Sequence, residues 1–297
     1  MTNSSKQKFA TVALIGAPNA GKSTLANHLV GQKISIVSPK VQTTRNTLKA
    51  IMIDGDTQIA FLDTPGVFIP RTTRPLERAI VRNAWQAIKE ADFVCLVIDA
   101  HRGIDENNQQ ILKDLEHHKI KPIIIINKLD SIQKEKTLNI IAEVSARGVD
   151  KIFLISALTG DGIPDLKKYL VDLAPQGSWH FTDDEITDAP MKFIAAEITR
   201  EKLFLKLSQD LPYSIFVRTD SWEDLKNGQV KIKQTIFVLK ESQKMIVLGK
   251  GGSMIKQIGE EARKDIGEIL GTKVHLFLFV KVEEDWINKK EYYEGYN

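Results

Sequence analysis

The chain has 297 residues, 42% hydrophobic and 27% charged, with a net charge of +3, a composition that suits a globular protein of about two domains. It holds no run of about 18 apolar residues, which excludes a spanning helix, and its single cysteine excludes disulfides and cysteine metal clusters. The short polar start, Met1 to Ala10, has neither an apolar signal region nor an Arg-rich transit pattern, so a cytoplasmic protein is expected.

In chain order, apolar runs at Phe9–Ile15, Gln58–Leu62, Asp92–Asp99, Pro122–Ile126 and Lys151–Ile155 are expected to be strands. Helical patterns alternate with them over Lys22–Val30, Pro75–Glu90, Asp105–His118, Ile132–Ala146 and Ile163–Leu173. Such alternation predicts an α/β fold, a mostly parallel sheet with helices on both faces. Cys95 lies inside the apolar run Phe93–Ile98 and reads as a buried small hydrophobe.

From residue 174 the pattern breaks into a Pro-containing, acidic, aperiodic stretch. This predicts a first domain over 1–175, a linker over 176–190 and a second domain over 191–297. The second domain reads as α+β. It has a helix over Met191–Gln209 and extended segments over Tyr213–Thr219 and Gln229–Lys240. A Gly-rich turn at Gly249–Gly252, a helix over Ser253–Leu270 and a strand over Lys273–Val282 follow.

Gly16-Ala17-Pro18-Asn19-Ala20-Gly21-Lys22-Ser23 matches GxxxxGK[ST] between a strand and a helix, the context that motif requires. Its glycines let backbone N–H groups cradle phosphate, and the helix N-terminus adds positive charge. Lys22 would neutralise the β and γ phosphates, Ser23 would ligate Mg²⁺, and Thr24 adds a contact at the helix start. Asp63-Thr64-Pro65-Gly66 follows a strand; Asp63 would hold Mg²⁺ through water and the Gly66 N–H would sense the γ-phosphate. Asn127-Lys128-Leu129-Asp130 selects guanine, because the Asp130 carboxylate accepts both N1–H and N2–H₂, a pair that adenine lacks. Asn127 would tie the base loop to the phosphate loop, and the Lys128 stem would cover the ring. Ser156-Ala157 places a backbone N–H at Ala157 for guanine O6. Between the first helix and the next strand, Gln42-Thr43-Thr44-Arg45 is an effector loop; Thr44 rather than Thr43 is expected to reach Mg²⁺ when the γ-phosphate is present. These motifs in this order predict a GTP/GDP and Mg²⁺ site, and NKLD argues against a metabolic or transport ATPase.

In the second domain, Gly249-Lys250-Gly251-Gly252 matches the GxxG loop that clamps about four nucleotides in KH domains. Lys244, Lys250, Lys256, Arg263 and Lys264 would supply charge. Ile246, Leu248, Ile255 and Ile258 would line a base groove, although Ile255 and Ile258 suit a core equally well. From residue 190 onward there are 18 basic and 16 acidic residues, so RNA binding must come from this local cluster. The alternative is a KH-like domain that binds a protein. His28, His117 and His118 form no metal-ligand pattern and read as packing or surface residues.

The sequence resembles the Era family of GTPases through GAPNAGKSTL (16–25), GQKISIVSPKVQTTRN (31–46), DTPG (63–66), NKLD (127–130), SAL (156–158), LPYS (211–214) and VLGKGGSMIKQIGEEARKDI (247–266). The resemblance covers nearly the whole chain. It implies a Ras-like P-loop GTPase domain followed by a type II KH domain. It also implies binding near the 3′ end of 16S-type small-subunit ribosomal RNA, a role in assembly of the small ribosomal subunit, and a weak peripheral membrane association. A monomer is expected. Val67 follows DTPG where many Ras-like proteins place a water-orienting Gln, so slow intrinsic hydrolysis is expected. Asn19 matches a phosphate-loop Asn that helps related GTPases bind K⁺, which implies K⁺-stimulated turnover. Arg45 and Arg71 read as surface arginines.

Overall fold

β1 (Lys8–Ile15) and β3 (Thr57–Asp63) pair in parallel, and Ala10, Val12, Ala13, Leu14 and Ile15 of β1 are fully buried. They form the centre of a six-stranded sheet in the computed structural model, which describes residues 6–38, 44, 47–66, 75–208 and 211–289. The strand order is β2-β3-β1-β4-β5-β6, with β2 (Leu48–Asp54), β4 (Phe93–Asp99), β5 (Ile123–Asn127) and β6 (Ile152–Leu154). All pairs are parallel except β2–β3. Every residue of β5 is buried, which explains its unbroken isoleucine run: an interior parallel strand meets apolar cover on both faces.

Helices α1 (Lys22–Val30), α2 (Pro75–Glu90), α3 (Glu106–His117), α4 (Lys134–Ser145) and α5 (Ile163–Leu173) link the strands. Asp105 caps α3 by accepting from the Asn108 N–H at 2.9 Å, satisfying one orphan donor of the first turn. Ile111, Leu112 and Leu115 of α3 join Leu96, Ile98, Ile124 and Ile126 in one core. Cys95, which alternates with Val94 and Leu96 along β4, is fully buried, and burial pushes its thiol up to about 12.

The antiparallel β2 was absent from the sequence expectation. It forms a hairpin with β3 through Gly55, whose φ of 56° is a conformation that glycine adopts without strain. A second difference concerns the stretch expected to be a linker. The Ile51 N–H donates to the Ile186 carbonyl at 2.9 Å, Gly177 N–H to Gln7 at 3.0 Å, and the Trp179 indole to the Asp56 carbonyl at 3.2 Å. His180 stacks on Phe9 at 3.9 Å between centroids. Aperiodic sequence here marks a strap that satisfies strand-edge donors. One compact unit therefore runs through Asp188 and a second begins at Ala189, with residues 36–38 grouped in the second.

The second unit is built from α6 (Met191–Lys206), β7 (Phe216–Asp224), β8 (Val230–Val238), α7 (Glu241–Leu248), α8 (Ser253–Leu270) and β9 (Val274–Val282). Its sheet has the order β7-β8-β9, with β7–β8 antiparallel and β8–β9 parallel. Leu203, Ile215, Ile236, Val247 and Ile258 meet between helices and sheet. The sequence reading had no element over 241–248; the structure places α7 there. Among the described residues no helix is long and apolar enough to cross a membrane.

Candidate functional site

The loops that follow β1, β3, β5 and β6 gather at the C-terminal ends of the parallel strands, where open α/β sheets hold their ligands. β1 hands over to Gly16, where a Cβ would lie 2.2 Å from the Val97 carbonyl oxygen. Gly21 (φ 97°) closes the loop, and a Cβ there would lie 2.2 Å from Asn127 Nδ2. Side chains are excluded at both positions, so the loop backbone passes close to its neighbours.

Lys22 starts α1 and curls back over the loop. Its Nζ donates to the Gly16 and Ala17 carbonyls, each at 3.0 Å. Burial lowers its pKa to about 8, against the opposing pull of Asp63. Asp63, at the end of β3, is fully buried, and neither carboxylate oxygen makes a hydrogen bond. Burial raises its pKa; the neighbouring Ser23 and Ser35 hydroxyls and the Lys22 charge oppose the rise without completing a bond to it. The Ser23 hydroxyl neighbours this carboxylate, and its Oγ lies 3.0 Å from Thr44 Oγ1. Two uncompensated carboxylate oxygens and two hydroxyls form an all-oxygen donor set, which fits Mg²⁺.

Thr64 is buried and donates from Oγ1 to the Leu14 carbonyl at 2.7 Å, fastening the loop after β3 to β1. A Cβ on Gly66 would lie 2.8 Å from Pro18, so DTPG rests directly on the phosphate loop. Pro65 is also buried. Asn19 holds φ 65°, and Thr24 is half-buried on the first turn of α1. Thr43, Val67, Arg45 and Arg71 lie outside the described residues.

Asn127 joins the two halves of the site. Its Nδ2 donates to the Ala20 carbonyl at 2.8 Å, and its Oδ1 accepts the Ala157 N–H at 2.8 Å. The Ala157 donor expected to serve guanine O6 is thus already engaged, and a base oxygen there would share it. Asp130 Oδ1 accepts the Ser156 hydroxyl at 2.5 Å. That bond is the first cause of a carboxyl held below the usual range, with Ser131 and His101 adding to it.

Sequence reasoning missed three supports. The Asp99 Oδ2 carboxylate, at the end of β4, pairs with Lys128 Nζ at 2.8 Å and holds the lysine over the base loop. Arg102 donates from Nη1 to the Pro18 carbonyl at 3.1 Å. Asn27 on α1 accepts the Ile34 and Ser35 N–H groups and donates to the Ser35 carbonyl, which shapes the chain leading to the effector loop. The usable signal was a carboxylate at the end of a buried apolar strand in Val97-Ile98-Asp99.

In the second unit the GxxG loop joins α7 to α8. Gly249 (φ 72°) is closed in by Met254, which a Cβ would approach to 2.7 Å. Gly251 and Gly252 face open space and leave room for a nucleic-acid backbone. Met245 and Ile246 of α7 are exposed beside the loop, and so are Lys250 and Lys256. Lys244 pairs with Glu241 at 3.6 Å. Leu248 is half-buried at the end of α7, Ile258 is wholly core, and Ile255 packs partly against that core. Arg263 and Lys264 stand three turns further along α8, about 16 Å from the loop by helical rise. With Lys273 and His275 they line a shallow concavity at the other end of the helix.

Comparison with known proteins accords with this geometry. Residues 11–128 match the family model described as 50S ribosome-binding GTPase, and residues 210–287 match the KH domain. The chain is 50% identical over 276 residues to GTPase Era of Bradyrhizobium sp. (strain ORS 278), covering 93% of this chain and 89% of that protein. It is 48% identical over 293 residues to GTPase Era of Brucella suis biovar 1 (strain 1330), covering 98% and 94%. A solved structure of Era in complex with MgGDPNP and nucleotides 1506–1542 of 16S ribosomal RNA superposes with a TM-score of 0.91 at 38% identity, over 96% of this chain and 97% of that one. An Aquifex aeolicus Era variant bound to GDP and AlF₄⁻ gives the same values. With this identity along nearly its whole length, and with a GTPase-family match followed by a KH-domain match, the chain belongs to the Era family of GTPases, enzymes that hydrolyse GTP.

Proposed function

We propose that this chain is a cytoplasmic, RNA-binding GTP switch that acts on the small ribosomal subunit during its assembly. The observation that carries the nucleotide half is Asn127, which fastens the phosphate loop to the Ser156–Ala157 loop while Asp130 is kept charged beside it. A guanine nucleotide bound there would lay its phosphates over Gly16–Ser23 and present its N1–H and N2–H₂ to Asp130. Lys22 and the loop N–H groups would oppose the charge that builds on the phosphates during transfer to water. Ser23, Thr44 and, through water, Asp63 would hold Mg²⁺, which neutralises phosphate charge when bound. The buried Thr64 and close-packed Gly66 would position a backbone N–H at the γ-phosphate, and its loss on hydrolysis would release the loop.

The RNA half rests on the open Gly251–Gly252 surface beside Lys250 and Lys256. The related Era structure contains nucleotides 1506–1542 of 16S ribosomal RNA, which supports the 3′ region of small-subunit RNA as the partner here. The test is the affinity of a short single-stranded RNA for wild type and Gly251→Asp, each with GTP analogue and with GDP. Binding by wild type and its loss in the variant, with GTP binding retained in both, is the expected result. Equal RNA affinities in the two nucleotide states would remove the switch from the proposal, and no RNA binding would make the KH unit a protein-interaction module.

A further inference from the structure

We propose that the open face of the β7-β8-β9 sheet is a second RNA surface, which stacks unpaired bases on Phe277 and Phe279. This proposal rests on the RNA reading of the KH unit and extends it to the side of the sheet opposite the helices.

Side chains alternate along β9. Leu278, Val280 and Val282 pack into the helix-covered core. Phe277 and Phe279 point the other way and are 47% and 54% exposed. Two phenylalanines two residues apart on one strand sit about 7 Å from each other, an arrangement like the sheet aromatics on which RNA-recognition motifs stack successive bases. The parallel register places Lys233 opposite Phe277 and Thr235 opposite Phe279. Lys233 is exposed and makes no ion pair among the described residues, so it offers a free cation beside the first ring.

The same face shows that this protein covers aromatics when burial is needed. Phe237, level with Lys281 in the register, is 1% exposed. Trp286 and Phe216 pack around it, and Arg218 and Lys281 lie over its ring at 4.9 and 5.8 Å. Phe277 and Phe279, next along the sheet, have no such cover among the described residues. Aromatic rings with adjacent cations are the chemistry of single-stranded nucleic-acid platforms. The GxxG loop lies on the helix-covered side of this same edge strand, because α7 packs on β9 from that side. An RNA longer than the loop can clamp would pass round this edge strand and meet the two rings.

The experiment uses the full-length protein with GTP analogue and two single-stranded RNAs: one of about four nucleotides, which the loop alone can hold, and one several times longer. Phe277→Ala/Phe279→Ala is expected to weaken the longer RNA by about 10-fold or more and to leave the short RNA, GTP turnover and thermal unfolding unchanged. Lys233→Glu is expected to weaken the longer RNA and to lower its salt dependence by about one phosphate contact. If the double variant binds the longer RNA as tightly as wild type, the proposal is overturned and the face belongs to a protein partner. Gly251→Asp separates the two readings. Loss of the short RNA in that variant, with no effect of the phenylalanine changes, removes this proposal alone; wild type that binds neither RNA removes both.

Discussion

Ser23 Oγ and Thr44 Oγ1 lie 3.0 Å apart, one on the first turn of α1 and the other in the effector loop 21 residues later. Ser23 stands beside Asp63, whose carboxylate is buried with both oxygens open. Ser23 is therefore expected to serve Mg²⁺ in both nucleotide states and Thr44 only with GTP. Ser23→Ala should weaken both GTP and GDP in the presence of Mg²⁺. Thr44→Ala should weaken a GTP analogue while GDP binding stays near wild type. Each lost contact to a charged group is worth about 1.5–3 kcal/mol, or about 10- to 100-fold. Titration with fluorescent nucleotides measures this; equal losses for GDP and GTP in Thr44→Ala would remove the γ-phosphate role of that residue.

Asp130 is expected to set base specificity. Asp130→Asn removes the acceptor for guanine N1–H and N2–H₂, two charge-assisted bonds whose loss amounts to about 10²–10⁴-fold in GTP affinity. The same variant should bind xanthosine triphosphate, whose C2 oxygen accepts from the new amide. Because the Ser156 hydroxyl is the main reason the Asp130 carboxyl lies low, Ser156→Ala should raise it. GTP binding in that variant would then fall away at a higher pH on the acid side than in wild type. An unchanged acid limb would show that Ser156 does not tune this carboxylate.

Lys22 gives a pH signature on the alkaline side. Burial lowers it to about 8 from near 10.5. Between those values the unfolded chain holds a proton that the nucleotide-free folded chain has released, so stability without nucleotide rises with pH across that window. Bound phosphates favour the charged ammonium again. GDP binding above about pH 8 should therefore take up a proton, and affinity should fall as pH rises. Calorimetry at one alkaline pH, in two buffers of different ionisation enthalpy, measures the uptake. Identical heats would place the Lys22 pKa outside this range.

Asn19 sits at φ 65° in the phosphate loop, a conformation asparagine tolerates better than most residues. Hydrolysis is expected to run faster in K⁺ than in Na⁺, and Asn19→Ala should remove the difference while nucleotide affinity changes little. Equal turnover of wild type in the two salts would reduce Asn19 to a loop-stabilising role.

The elements longest and most periodic in sequence were legible without coordinates. Lys22–Val30, Pro75–Glu90 and Ile163–Leu173 have the helix limits that the pattern implied. β2 was not, although Asp54-Gly55 is a turn signal, because an antiparallel hairpin falls outside the strand–helix alternation that marks the rest of the sheet. The strap over 176–188 was not, because its order comes from strand-edge hydrogen bonds to residues more than 120 positions away, which leave no period in its own sequence. α7 was hidden in the same way, its eight residues lying between a strand and a Gly-rich turn.

The sequence by itself determined which chemistries are present. GxxxxGKS, DTPG, NKLD and GxxG carry their meaning locally, through glycine geometry and residue type at the ends of strands and helices. Only the tertiary structure decided how those parts are held. Asp99 reaches Lys128 because β4 and β5 are neighbours, with Asp99 level with Asn127. Asn127 joins loops that lie 107 and 30 residues away along the chain. Asp63 and Lys22 acquire their shifted protonation from burial, and Arg263 is carried away from the GxxG loop by the rise of α8. Desolvation and through-space pairing depend on which distant segments meet, and a linear order of residues does not contain that information.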